Sequence, residues 1–258
     1  MSSNQRTEAA RRRIEASRAE QQRRTRRRRQ LVVGIAALAV LGAGTGIGIA
    51  VQSGRAASDK PYAAPAHSSG PGDTVIVYGS PTAKATLQVY EDFRCPVCAS
   101  LEHSAGSTIQ QLADQGEYRI EYHFGTFLDG NLGGHGSRTA LGAAGAALNE
   151  SAAKFKAFHD VLYANQPEET NDGFADTGAL LKLAAKVPGL STPAFIKAVR
   201  DQTYEPWVSK VSDAFNTSGV TGTPTVRLNG KDLQVVKDDG STITGPEFSA
   251  LVSQGLSG

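Results

Sequence analysis

Phe93-Arg94-Cys95-Pro96-Val97-Cys98 holds the only two cysteines of the 258-residue chain, two residues apart. The run before it, Ala85-Thr86-Leu87-Gln88-Val89-Tyr90, reads as a buried strand. After it, Ser100 to Gln115 carries Leu101, Ala105, Ile109 and Leu112 at helical spacing. The pair therefore falls where a strand ends and a helix begins. Unpaired backbone N–H groups and the positive end of the helix dipole meet at such a junction and favour a thiolate at Cys95. The thiolate is both the nucleophile and the better leaving group. Pro96 suits the first helical turn, where its missing N–H has no partner to lose. The pattern reads as a redox-active dithiol. Half of a zinc site would need two further ligands, and the five histidines (His67, His103, His123, His135, His159) show no paired spacing. A purely structural disulfide closing a two-residue loop would stabilise least of all loop lengths.

Charge is uneven along the chain. Residues 1–30 contain eleven arginines against three glutamates, a net +8, whereas the whole chain carries +2, which leaves −6 for everything after Gln30. Alone, such a tail would suit nucleic acid. The adjoining segment argues against that: Leu31 to Val51 is uncharged, and at about 1.5 Å per residue a helix of this length crosses a hydrocarbon core of about 30 Å. Arginines on its N-terminal side place the tail in the cytoplasm and the rest outside. A cleaved secretory signal is the alternative, with a normal apolar run of about 7–15 residues. It would release a secreted protein after Ala56 or Ala57. The expected organisation is a basic cytoplasmic tail (1–30), a single-pass membrane anchor (31–51), a flexible linker (52–73) rich in Ala, Ser, Gly and Pro, and a folded domain (74–258). An extracytoplasmic site suits disulfide chemistry, because the cytosol keeps thiols reduced.

Within the domain, Thr74 to Tyr78 is an expected strand closed by Gly79-Ser80-Pro81. Tyr118 to Phe124 alternates, with Tyr118, Ile120, Tyr122 and Phe124 on one face and Arg119, Glu121 and His123 on the other, a strand by period. Strand, helix, strand in this order implies a parallel pair. Five helices are expected next, roughly over 126–219. Their stripes include Leu141, Ala144 and Leu148; Phe155, Phe158 and Leu162; Leu180, Leu181 and Ala184; Phe195, Ile196 and Val199; and Trp207, Val211 and Phe215. Each stripe buries one helix face and needs no further function. His159 beside the second stripe reads as a core or cap histidine. A strand at Thr225 to Leu228, the hairpin signal Asn229-Gly230, a partner strand around Leu233 to Val236 and a final helix opening at Pro246 complete the chain. The fold class is α/β: β-β-α-β, five helices, β-β-α.

The chain resembles the extracytoplasmic thioredoxin-fold thiol oxidoreductases of the DsbA type, particularly membrane-tethered bacterial ones. The resemblance rests on Tyr90-Glu91-Asp92-Phe93-Arg94-Cys95-Pro96-Val97-Cys98, on Phe155 to Tyr163, on Tyr204-Glu205-Pro206-Trp207 and on Gly219-Val220-Thr221-Gly222-Thr223-Pro224-Thr225. It implies a thioredoxin fold with a helical insertion and a cis peptide bond between Thr223 and Pro224. It also implies a role for these two residues in packing on the active disulfide and offering backbone hydrogen bonds to an extended substrate. Many thioredoxin-fold enzymes bury a carboxylate six residues before the first cysteine; that position here is Val89. The nearest acids are Glu91 and Asp92, so proton transfer at Cys98 is expected to use Asp92 or water. Phe93, Arg94, Pro96 and Val97 flank the dithiol and are expected to tune it. Arg94 either lowers the Cys95 pKa or points to solvent.

The expected activity is net oxidation of dithiols in secreted or cell-envelope proteins through a Cys95–Cys98 disulfide, without a bound cofactor or metal. Expected partners are unfolded or partly folded protein thiols, the lipid bilayer through residues 31–51, and, as the resemblance implies, a quinone-linked membrane oxidant. No nucleic acid is expected. The rival readings are an isomerase, disfavoured because no separate dimerisation domain is visible, and a reductase, disfavoured because Pro96-Val97 is not the Gly-Pro of reducing thioredoxins. A tethered binding or holdase module with an idle dithiol is the reading from another class.

Overall fold

The computed structural model describes residues 60–257. The basic tail and the apolar run at 31–51 lie outside the described residues, as does the linker up to residue 59. Among the described residues no helix is long and apolar enough to cross a membrane.

The sheet has six strands: β1 (Ser68–Ser69), β2 (Val75–Tyr78), β3 (Thr86–Glu91), β4 (Arg119–Phe124), β5 (Thr225–Leu228) and β6 (Lys231–Leu233). Their spatial order is β1-β2-β4-β3-β5-β6. Only β3 and β4 run parallel, pairing Leu87 with Ile120 and Val89 with Tyr122. The other neighbours are antiparallel. Along β4, Ile120, Tyr122 and Phe124 are buried and alternate with half-buried Arg119, Glu121 and His123, the face assignment its period predicts. In β3 the alternation breaks at the end, where Val89, Tyr90 and Glu91 are all buried. The central strand thus delivers the residues just before the dithiol into an interior covered on both faces.

The helix after the dithiol runs as α1 (Pro96–Leu101), a π-helical turn (Glu102–Gly106) and α2 (Ser107–Asp114). Between β4 and β5 stand α3 (Phe127–Leu132), α4 (Gly136–Glu150), α5 (Ala152–Ala164), α6 (Thr177–Ala184), α7 (Pro193–Arg200) and α8 (Glu205–Thr217), and the chain closes with α9 (Gly245–Ser257). That is six helices in the insertion where the sequence suggests five. The addition, α3, is one and a half turns long with Gly130 and Asn131 in it, too short to show an apolar stripe. Side chains cap α6 and α7: Asp176 Oδ1 accepts from Gly178 N at 2.8 Å and Thr192 Oγ1 from Phe195 N at 3.0 Å. Trp207, fully buried, donates its indole N–H to the Asp73 carbonyl at 2.6 Å and so ties α8 to the start of the sheet.

Two segments differ from the sequence reading. Asn229 and Gly230 both take positive φ (50° and 80°), the geometry of a two-residue hairpin turn. So tight a turn leaves no slack, and pairing restarts at once with Leu228 opposite Lys231. The partner strand is therefore Lys231–Leu233 rather than 233–236, and Val236 forms a single bridge with Thr242 instead. Of the stretch read as linker, residues 60–73 lie on the domain. Lys60 Nζ donates to the carbonyls of Asp201 and Gln202, Lys210 sits 3.8 Å from the Tyr62 ring centre, and the Ala66 N–H reaches Asn149. Within it His67 is exposed.

Candidate active site

Asp92 turns the chain from β3 into α1. Its carbonyl accepts the Cys95 N–H at 2.9 Å, and its Oδ1 accepts the Arg94 N–H at 2.9 Å. Cys95 takes an extended conformation (φ −74°, ψ 115°) as the N-cap of α1, with Pro96 at the first helical position. No side-chain oxygen caps this helix, so the cysteine sulfur is the group placed at the orphan amides. Cys95 is 6% exposed and Cys98 wholly buried, and both are free thiols. Across from them the Thr223–Pro224 peptide is cis, and Cys95 Sγ lies 3.4 Å from the Thr223 carbonyl oxygen. Pro96 is exposed, Val97 half-buried, and Phe93 buried with its ring stacked on Phe124 at 4.6 Å and tilted on Tyr163 at 5.4 Å.

The two sulfurs are driven apart in acidity. The Cys98 thiol donates a hydrogen bond that holds Cys95 below the ordinary thiol range against the penalty of burial, with the Thr223 side chain and the Cys98 N–H adding to it. Burial pushes Cys98 well up, and the charges of Cys95 and Glu91 push it further. Cys95 is thus the sulfur that loses its proton more readily and Cys98 the one that holds it more tightly.

Asp92 and Arg94 have partners other than the thiols. The Asp92 carboxylate accepts from Ser137 Oγ at 2.6 Å, from Arg94 N and from Leu128 N at 3.2 Å, while burial lifts its pKa to about 6. The carboxylate whose charge acts on Cys98 is Glu91. Arg94 points neither to solvent nor at the sulfur. Its guanidinium, 4% exposed, meets Asp129 at 2.9 Å and Asp172 at 3.2 Å and donates to the carbonyls of Gly133 and Glu169. The same two aspartates accept the first amides of α4: His135 and Gly136 donate to Asp172, Ser137 and Arg138 to Asp129. A helix N-terminus favours such anions. A Cβ at Gly136 would stand 2.5 Å from Asp172, so this approach requires glycine. Gln166, on the loop after α5, donates its amide to the carbonyls of Phe93 (2.9 Å) and Cys95 (3.0 Å).

Beneath the dithiol lies a charged cluster that periodicity alone could not assemble. Glu91 and His159, both fully buried, meet at 2.8 Å, and the other ring nitrogen of His159 faces Asp160 at 3.3 Å. Burial alone would push His159 down, but Glu91 and Asp160 hold it up at about 9. Glu102 opens the π turn, and burial together with Glu91 lifts it to about 7. Its carboxylate occupies the space over Gly106, where a Cβ would lie 2.6 Å from Oε2. Glu91, Glu102 and His159 bring three donor atoms within 4.8 Å of one another, a set that could hold a cation, although Glu91 and Asp160 already engage both ring nitrogens. The signal for this cluster was a lone acid closing an apolar strand; its partners are 11 and 68 positions away. His123, by contrast, stacks on Tyr90 at 4.5 Å, away from the cluster.

Fold and site together define a thiol:disulfide oxidoreductase built on the thioredoxin fold. A family model described as thioredoxin matches residues 72–243. Disulfide bond formation protein D of Bacillus subtilis is 26% identical over 163 residues, covering 63% of this chain and 71% of the relative. Among solved structures, reduced DsbA from Mycobacterium tuberculosis is 25% identical with a TM-score of 0.57, covering 70% of this chain and 91% of that one. Oxidised BdbD from Bacillus subtilis, 23% identical, shares the fold with a TM-score of 0.59 over 77% of this chain and all of that one. The chain belongs to the thioredoxin family and is an oxidoreductase of the DsbA type.

Proposed function

We propose that the protein is a dithiol oxidase acting outside the cytoplasm on secreted or cell-envelope proteins, with Cys95 as the attacked sulfur and Cys98 as the resolving one. The observation that carries this reading is the asymmetry of the pair, with Cys95 held low at a helix N-terminus and Cys98 buried and held high. A stabilised thiolate lowers the free energy of the reduced form, and that makes the disulfide a strong oxidant. In the forward reaction a substrate thiolate attacks Cys95 of the Cys95–Cys98 disulfide. A mixed disulfide forms, and Cys98 leaves as a thiolate that takes up a proton. A second substrate thiolate attacks the substrate-side sulfur, and Cys95 departs as the stabilised thiolate. The substrate loses two electrons and two protons, and the protein's dithiol gains the electrons.

Thr223 and Pro224 present backbone groups to an extended substrate beside Cys95. Phe93 anchors the turn, Pro96 and Val97 set the spacing of the sulfurs, and Glu91 rather than Asp92 is the carboxylate whose charge raises Cys98. The compartment follows from the arginine tail and the uncharged run at 31–51, which would hold the domain at the outer face of a membrane. Reoxidation there is assigned to a quinone-linked membrane oxidant. The deciding measurement is the reduction potential of the pair in equilibrium with glutathione. A value near −120 mV, as in DsbA, supports the oxidase, and one near −270 mV, as in thioredoxin, makes the protein a reductase.

A further inference from the structure

The helical insertion reaches the active-site turn from two directions. Gln166 donates both amide hydrogens to the carbonyls of Phe93 and Cys95. Three residues on, the Glu169 carbonyl accepts from Arg94, and Asp172 closes the same guanidinium from the other side. The loop from Gln166 to Asp172 therefore grips three consecutive residues, Phe93, Arg94 and Cys95. The end of the loop is fixed in turn, because Asp172 is held by two amides at the start of α4.

We propose that this loop is a clamp on the nucleophile: Gln166 is a positioning residue that sets where the Cys95 backbone, and hence its sulfur, stands relative to Cys98 and Thr223, with Arg94 as the clamp's anchor. The proposal rests on the dithiol reading above and adds to it a residue 71 positions away from Cys95. The chemistry is specific to a carboxamide. Two donors on one nitrogen meet two carbonyls whose other partners are limited: Cys95 O also accepts from Ala99 N in the helix. A carboxylate of the same shape has no hydrogen to donate and would repel both carbonyls. The hydrogen bonds that stabilise the Cys95 thiolate weaken steeply with distance and angle, so releasing the turn weakens them without touching either sulfur.

The test compares Gln166→Ala and Gln166→Glu with the unaltered domain, reading the Cys95 thiolate titration by absorbance at 240 nm and the exchange equilibrium with glutathione. Both substitutions are expected to shift that equilibrium at least threefold towards a weaker oxidant, and Gln166→Glu further, by about tenfold, which is about 30 mV. The Cys95 titration should move upward in the same order. If Gln166→Ala lowers thermal stability while both readouts stay put, Gln166 is packing only and the clamp is refuted. If the unaltered domain fails to exchange with glutathione through Cys95, the dithiol reading itself fails, a different outcome from an unresponsive Gln166.

Discussion

Replacing Glu102 with Gln should stabilise the protein at pH 8 and leave it unchanged at pH 4. Glu102 is lifted to about 7 from an ordinary 4.5 by burial and by the charge of Glu91. A group raised in the folded state keeps its proton there after the unfolded chain has released it. Its favourable contribution is complete below about pH 4.5 and is lost as pH climbs through 7. At 1.36 kcal/mol per pH unit, the gap sets an upper limit of about 3 kcal/mol, which the partial solvent contact of this side chain reduces to about 2 kcal/mol. Gln keeps the shape and carries no charge, so above pH 7 the variant avoids the cost altogether. In a domain of this size about 2 kcal/mol corresponds to roughly 4–8 °C in melting temperature. Thermal unfolding of the reduced protein at pH 4 and pH 8, for wild type and Glu102→Gln, makes the comparison. An equal shift at both pH values, or a loss at pH 8, would falsify the cluster's electrostatics as described.

Three other outcomes are expected from the same geometry. Iodoacetamide at pH 7 should alkylate Cys95 at least tenfold faster than Cys98, seen by mass mapping of the reduced protein; comparable rates would contradict the asymmetry of the pair. Arg94→Met strands Asp129 and Asp172 beside the turn, and removing one partner of a buried ion pair costs about 3–5 kcal/mol. The α4 amides still satisfy both carboxylates, so about 3 kcal/mol is expected in urea unfolding, and a loss under 1 kcal/mol would mean that the guanidinium is not the keystone of that network. Gly106→Ala should destabilise, although alanine gains about 1 kcal/mol over glycine inside a helix; in a Glu102→Ala background the sign should reverse, and a loss persisting there would place the clash elsewhere.

Much of the architecture was legible because it is written in period and punctuation. The alternation of β4 and the Asn229-Gly230 turn are local signals, and each forms where expected. The dithiol junction was legible for the same reason, since strand, cysteine and helix are contiguous. What escaped were pairings between distant residues of unremarkable type. Nothing about Gln166 or Asp172 in sequence marks it as a partner of the Cys95 turn. Arg94 looked like a charge beside a thiol, yet its length lets it reach past the sulfur to the start of α4. His159 read correctly as a core histidine, but only the fold reveals that Glu91 and Glu102 share its interior.

The Cys95 sulfur and the Thr223 carbonyl that covers it are 128 residues apart in sequence. A chain made at about 5–20 residues per second exposes the thiols for roughly 6–26 s before the covering segment exists. Until then the carbonyl that lies over the sulfur does not exist, and the covering is complete only when β5 settles beside β3 and brings Thr223 to Cys95.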